Sequence, residues 1–147
     1  MGRRCGRGVF INWRRDVVEP VDVSIESYEP GELEVEGRVV VRYLVSDVRV
    51  ARVGRGYVVS ANISVVARFL RQQERIVGLC GPGVPYRPAS FTVKRIATAV
   101  VKTGGNDRIE VFIEPVAVGM ADGFITPVGE PCVVLHTVTA WRMITAT

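Results

Sequence analysis

Residues 38–71 read RVVVRYLVSDVRVARVGRGYVVSANISVVARFLR. Val39, Val41, Tyr43 and Val45 alternate with other residues in the first half, and Tyr57, Val59, Ala61, Ile63, Val65, Ala67 and Phe69 do so in the second. Successive side chains of a strand point to opposite faces, so a period of two puts each set on one face. β-Branched residues lose χ1 freedom in a helix but pack well on a pleated surface, and twenty-nine of the 147 residues are valine. The stretch therefore predicts two strands, 38–53 and 57–71. The glycines of Val53-Gly54-Arg55-Gly56-Tyr57 supply the positive φ that a short hairpin loop demands. Between Val45 and Val48 the apolar positions change from odd to even, which one extra residue in the ladder produces, so a β-bulge is expected at Ser46-Asp47. At ~3.3 Å per residue, Tyr57 to Phe69 would span ~43 Å, about twice the usual strand length. Such a hairpin either bends around a barrel or projects beyond its own domain.

Working outward, Val21, Val23 and Ile25 alternate with Asp22, Ser24 and Glu26, and Leu33 and Val35 with Glu32, Glu34 and Glu36, predicting two half-buried strands with acidic outer faces. Arg71 to Arg75 is the one stretch expected to make a helical turn, and Gly78 to Pro88, with three glycines and three prolines, is expected to be an irregular loop. Phe91 to Lys102 reads as a strand and Thr103 to Asp107 as a turn. Arg108 to Glu114 is its hairpin partner, with Ile109, Val111 and Ile113 inward and Pro115 ending or edging it. In the last segment, Cys132 to Thr145, one face carries Val133, Leu135, Trp141 and Met143 and the other Val134, Val138 and Ala140. A strand apolar on both faces needs cover on both, as a central strand or under a neighbouring subunit. The fold expected is all-β: an antiparallel β-sandwich, jelly-roll-like, or a barrel with a long protruding hairpin. Residues 1–15 form a basic N-terminal arm and 16–147 a single all-β domain.

Apolar residues are 48% and charged ones 23%, which excludes a disordered chain. No apolar run approaches the ~18 residues of a membrane-spanning helix, and the Val9 to Trp13 stretch is too short for a signal peptide. A soluble protein of the cytoplasm or a virion is expected. Seventeen arginines against two lysines, with few Asn and Gln, fit a thermophile. The net charge of +4 hides segregated blocks. Residues 1–15 carry five Arg and no acid, 16–36 eight acids and no base, and 38–75 eight Arg against Asp47 and Glu74.

Catalytic, cofactor and metal sites are expected to be absent. His136, the one histidine, is four residues from Cys132, ~13 Å along a strand, too far to share a zinc ion, and reads as a core or interface residue. Cys80 lies in a glycine-rich loop where a thiolate could sit beside backbone N–H groups, but nothing supplies its base. Cys5, Cys80 and Cys132 read as buried or incidental thiols. Gly54-Arg55-Gly56 leads into a strand rather than a helix and makes no phosphate cradle.

Two functions from different classes remain. The first is a self-assembling structural subunit, such as a virion coat or tail protein or a filament protein, its partners being further copies of itself. The long hairpin, the two-faced terminal strand and the complementary charge blocks point to it. The second is a β-barrel that binds single-stranded nucleic acid through the basic arm, where Arg and aromatic residues could follow phosphates and stack bases. Neither involves a membrane or a cofactor. The residues assigned to assembly or nucleic-acid contact are Arg3, Arg4, Arg7, Trp13, Arg14 and Arg15 in the arm, Arg42, Arg49, Arg52 and Arg55 in the hairpin, and Trp141.

Overall fold

A computed structural model of the chain describes residues 17–71 and 75–144, together with the backbone of 3–4 and 10–11. Its strands, in chain order, are β1 (Arg3–Arg4), β2 (Phe10–Ile11), β3 (Val18–Val21), β4 (Val23–Glu29), β5 (Gly31–Val35), β6 (Val39–Val53) and β7 (Gly56–Phe69). They continue with β8 (Gly78–Leu79), β9 (Arg87–Pro88), β10 (Phe91–Arg95), β11 (Ala97–Thr103), β12 (Arg108–Ile125) and β13 (Pro131–Ile144). No helix occurs among the described residues, and most of the predicted turn at Arg71 to Arg75 lies outside them. Arg7, Trp13, Arg14 and Arg15 also lie outside.

The β6–β7 hairpin forms as the alternation requires. Val53 pairs with Gly56 across a two-residue turn in which Gly54 has φ 58°. The register shifts between Val45 and Asp47, so Ser46 is the bulged residue. The bulge brings Val48 and Val50 back to the inner face, and inward residues of β6 are buried from Val39 to Val53 at the tip.

Two antiparallel sheets face one another in a sandwich. The first is β10-β5-β6-β7, with β3 taking the place of β5 at the far end of β6; the second is β13-β12-β11-β4, with β8 and β9 on the free stretch of β12. A single two-stranded ribbon belongs to both. β4 and β5 follow one another across Pro30, β10 and β11 across Ile96, and the pairing of residues 23–35 with 91–103 runs from Val23↔Thr103 to Val35↔Phe91. Two strands predicted as continuous therefore divide: 21–26 at Asp22, where the chain changes sheets, and 91–102 at Ile96. On the opposite side β13 lies alongside β7 without pairing to it. The barrel alternative is thereby corrected: an unpaired seam keeps the ring open.

The bend of the ribbon demands small residues. An added Cβ at Gly31 would lie 2.4 Å from the Tyr43 ring and 2.7 Å from the Ala97 nitrogen. The Tyr43 hydroxyl accepts a hydrogen bond from the Ala97 N–H (3.2 Å) and donates one to the Ile113 carbonyl (2.8 Å). Burial raises the phenol pKa above its ordinary value, so the hydroxyl stays a donor. Around it the core is apolar: Leu33, Val35, Val39 and Val41 from one sheet meet Ala99, Val101, Ile109, Val111 and Ile113 from the other.

Of the two alternatives for Pro115, edging holds and ending does not: β12 continues to Ile125, and Pro115 lies where β11 has already stopped opposite Ile113, with a register shift following it on the β13 side. Cys80 and Cys132 are not free thiols but a disulfide, with Cα atoms 5.9 Å apart, tying the Gly78 to Pro88 loop to the start of β13. Only two short bridges, β8 and β9, order that loop.

Tyr43→Phe leaves two buried backbone groups unpaired and is expected to cost about 1–3 kcal/mol in urea unfolding. Gly31→Ala, which pushes against backbone as well as the ring, is expected to cost at least as much. A Gly31→Ala protein as stable as wild type would show that the corner is not tight. Reducing the disulfide closes off a loop of 52 residues less tightly in the unfolded chain and is expected to lower stability by up to ~4 kcal/mol, read as a drop in the thermal midpoint on adding a phosphine reductant.

Candidate functional site

The hairpin tip brings three of the assigned residues together. Arg52 ends the first arm of the hairpin, Arg55 occupies the turn, and Trp141 arrives from the neighbouring end of β13. With Tyr57, Asp107 and Met143 they line an open cleft of about 490 Å³. The cleft exists because the seam between β7 and β13 is unpaired. Its floor is ordered by a short chain of polar contacts: Arg52 donates to the Tyr57 hydroxyl (3.1 Å), which donates to Asp107 Oδ2 (2.9 Å). The Arg52 guanidinium also stands 5.4 Å from the centroid of the Tyr57 ring. The bond to Tyr57 raises the Arg52 pKa further, fixing its positive charge. Trp141 is half-buried and Met143 is 44% exposed, so the wall opposite is apolar and accessible. A cation, an indole and a thioether around one opening suit a flat or apolar group carrying negative charge nearby.

The other hairpin arginines do not join this site. Arg42 pairs with Glu32 across the sheet (3.8 Å), and Arg49 pairs with Asp47 (3.4 Å) beside the bulge. Arg3 and Arg4 lie in β1, which pairs with β2. Much of the acidic band is likewise neutralised within the chain, by Lys94 on Glu34 (3.1 Å), Arg108 on Glu26 (2.8 Å) and Arg38 and Arg87 on Glu36 (3.3 and 2.7 Å). The basic ribbon and acidic band of the linear sequence thus become a surface of mixed sign.

Sequence reasoning missed the most connected of these clusters. Arg87 grips both Glu36 and Asp122, and Arg38 reaches Asp122 at 2.9 Å, so a turn of one sheet is clamped to β12 of the other. Glu36 sits at φ 53°, unusual for a residue with a side chain, in the turn that joins β5 to β6. The hydrogen bonds from Arg87 and Arg38 hold Asp122 down at about 2, and Glu36 is lowered for the same reason. Nothing local in the sequence pairs residues 36, 87 and 122. Tyr57 and Asp107 were legible only as a core-facing and a turn residue.

His136 is exposed on the outer face of an edge strand, which corrects the core alternative and leaves the interface one. Trp141 and Val134 are half-buried, so β13 is not covered on both sides. Cys80, being disulfide-bonded, offers no thiolate. Among the described residues no three of His, Cys, Asp and Glu converge as metal ligands, and no helix is long and apolar enough to cross a membrane. Comparison with protein families, with curated proteins and with solved structures returned no match.

Because Asp122 is depressed below its usual 3.8, its clamp contributes stability that is complete above that value and is lost as pH falls toward about 2. The thermal midpoint of wild type should therefore fall between pH 4 and pH 2, and Asp122→Asn should flatten that part of the profile. Identical acid profiles would show that the clamp does not contribute.

Proposed function

We propose that the protein is a non-enzymatic structural subunit that assembles with copies of itself, as the subunits of a coat, tail or filament do. The outer face of β13 carries the proposal. Among the described residues this 14-residue strand pairs on one side only, and Arg142 is the one charged residue on its outer face, where Val138 is 49% and Ile144 37% exposed. Val116 on the adjoining β12 is 53% exposed. Chains that stay monomeric blunt such strands with charge, proline or cover, and contiguous exposed apolar surface marks an interaction site. The proposal takes the sandwich as a jelly-roll-like subunit whose hairpin tip, with Arg55 exposed, reaches a neighbour. A thermophilic source is part of the same proposal: the disulfide suits an oxidising setting or the cytosol of a hyperthermophile.

The tip cleft favours a second reading, single-stranded nucleic acid held on Trp141 and Tyr57 with Arg52 and Arg55 at its phosphates. One experiment separates the two. Size-exclusion chromatography with light scattering is expected to show a multimer that Val138→Glu reduces in size, while a labelled oligonucleotide binds no more than weakly. A chain that is monomeric at every concentration, and whose oligonucleotide binding is lost in Arg55→Ala and falls steeply with salt, would replace the first reading by the second.

A further inference from the structure

β6 is flanked on both edges for most of its length, but six residues lack a second neighbour. Away from β7 it pairs with β5 as far as Tyr43↔Gly31, and with β3 only from Val50↔Val21. Among the described residues no strand pairs with Leu44 to Arg49 on that edge. The chain path is the cause. At Asp22 the chain leaves β6 for the other sheet, runs as β4 beside β11, and returns only at Gly31. The same detour uncovers the inner face of β4. Ile25 lies opposite Val101 and Tyr28 opposite Ala99, so they share the inward face of those buried residues. Yet Ile25 is 37% and Tyr28 55% exposed. Between them and β6 is an open cavity of about 560 Å³, lined also by Leu44 and Val45.

An unpaired strand edge beside exposed apolar side chains is what an added strand needs: main-chain partners for affinity and pockets for alternate side chains. Six residues at ~3.3 Å each give ~20 Å, an ordinary strand length. We propose that this slot is filled by Val9 to Trp13 from the arm of a second copy, so that each subunit supplies the strand its neighbour lacks. The inference rests on the self-assembly reading and adds an arm-to-slot contact to the one on the outer face of β13.

Three observations select this occupant. The segment Val9-Phe10-Ile11-Asn12-Trp13 is apolar on alternate positions, and Phe10–Ile11 is already extended in β2. Its origin faces away from its own slot: Val18 lies opposite Val53, so the chain before β3 departs at the hairpin tip, and β3 itself occupies the edge between. A neighbour's slot has no such obstruction. Charge also matches. Arg7, Arg14 and Arg15 flank the segment, while Asp22 and Glu29 stand at the two ends of β4 and have no ion pair among the described residues. Arm and slot are different surfaces, so the contact is heterologous and propagates into rings or filaments.

The test uses two full-length variants. Ile11→Pro withholds an N–H and disables the arm; Tyr28→Glu places a charge in the slot at an exposed position. Circular dichroism checks that each retains its sheet, and Ile25→Lys replaces Tyr28→Glu if that variant does not fold. Both variants also carry Val138→Glu, which removes the β13 contact, and by light scattering each alone is expected to run as a 16.1 kDa monomer. Mixed in equal amounts they are expected to form a one-to-one dimer, the intact arm of one entering the intact slot of the other. Wild type that never exceeds a monomer overturns the assembly reading and the slot together. Wild type that assembles while the variants also assemble, or fail to complement each other, leaves the assembly reading standing and overturns the slot.

Discussion

The Tyr43 hydroxyl, held between the Ala97 N–H and the Ile113 carbonyl, is the interaction on which the sandwich turns. Nearly everything else between the sheets is valine, isoleucine, leucine or alanine, and apolar burial is strong but non-directional. It sets the volume between the layers and leaves their relative placement loose. A side chain that reaches from β6 across to the corner of β11 and to β12 adds direction. It works only because Gly31 lets the ribbon pass over the ring, so one glycine and one tyrosine determine where the ribbon bends and hence which strands enter which sheet.

The same topology disposes of the charge blocks. Antiparallel register sets Glu32 against Arg42, Glu34 near Lys94, Glu26 near Arg108 and Glu110 near Arg142, converting long runs of one sign into cross-strand pairs. Exposed pairs of this kind contribute only ~0–1 kcal/mol each, so their consequence is less for stability than for recognition. Along the hairpin Arg42 and Arg49 are paired in this way, while at the tip Arg52 and Arg55 lie beside Tyr57 and Trp141.

What stays exposed follows from the one place where the chain changes sheets early. Leaving β6 at Asp22 lets β4 extend the second sheet, but it opens the first over six residues and bares Ile25 and Tyr28. On the opposite side the seam between β7 and β13 leaves the last strand with a bare outer face. Both features are apolar, and both lie beside strand edges whose backbone groups have partners on one side only. On the proposed reading, completion of these edges by another chain is what connects the fold to assembly.

Much of the architecture was legible locally. The strand type, the hairpin turn at Gly54, the bulge at Ser46-Asp47 and the inward set Ile109, Val111 and Ile113 all follow from a period of two and the steric demands of turns, which act between near neighbours. The candidate site was half legible: Arg52, Arg55 and Trp141 were assigned, but their company in one cleft, with Tyr57 and Asp107, was not. The division at Asp22, the continuity of β12 through Pro115, the disulfide and the Glu36, Arg87 and Asp122 clamp were decided only in three dimensions. Each joins residues tens of positions apart, or depends on whether a neighbouring strand is present. Alternation says which face of a strand is buried; only the packed sheets decide which strand lies against it, and therefore which edges stay open.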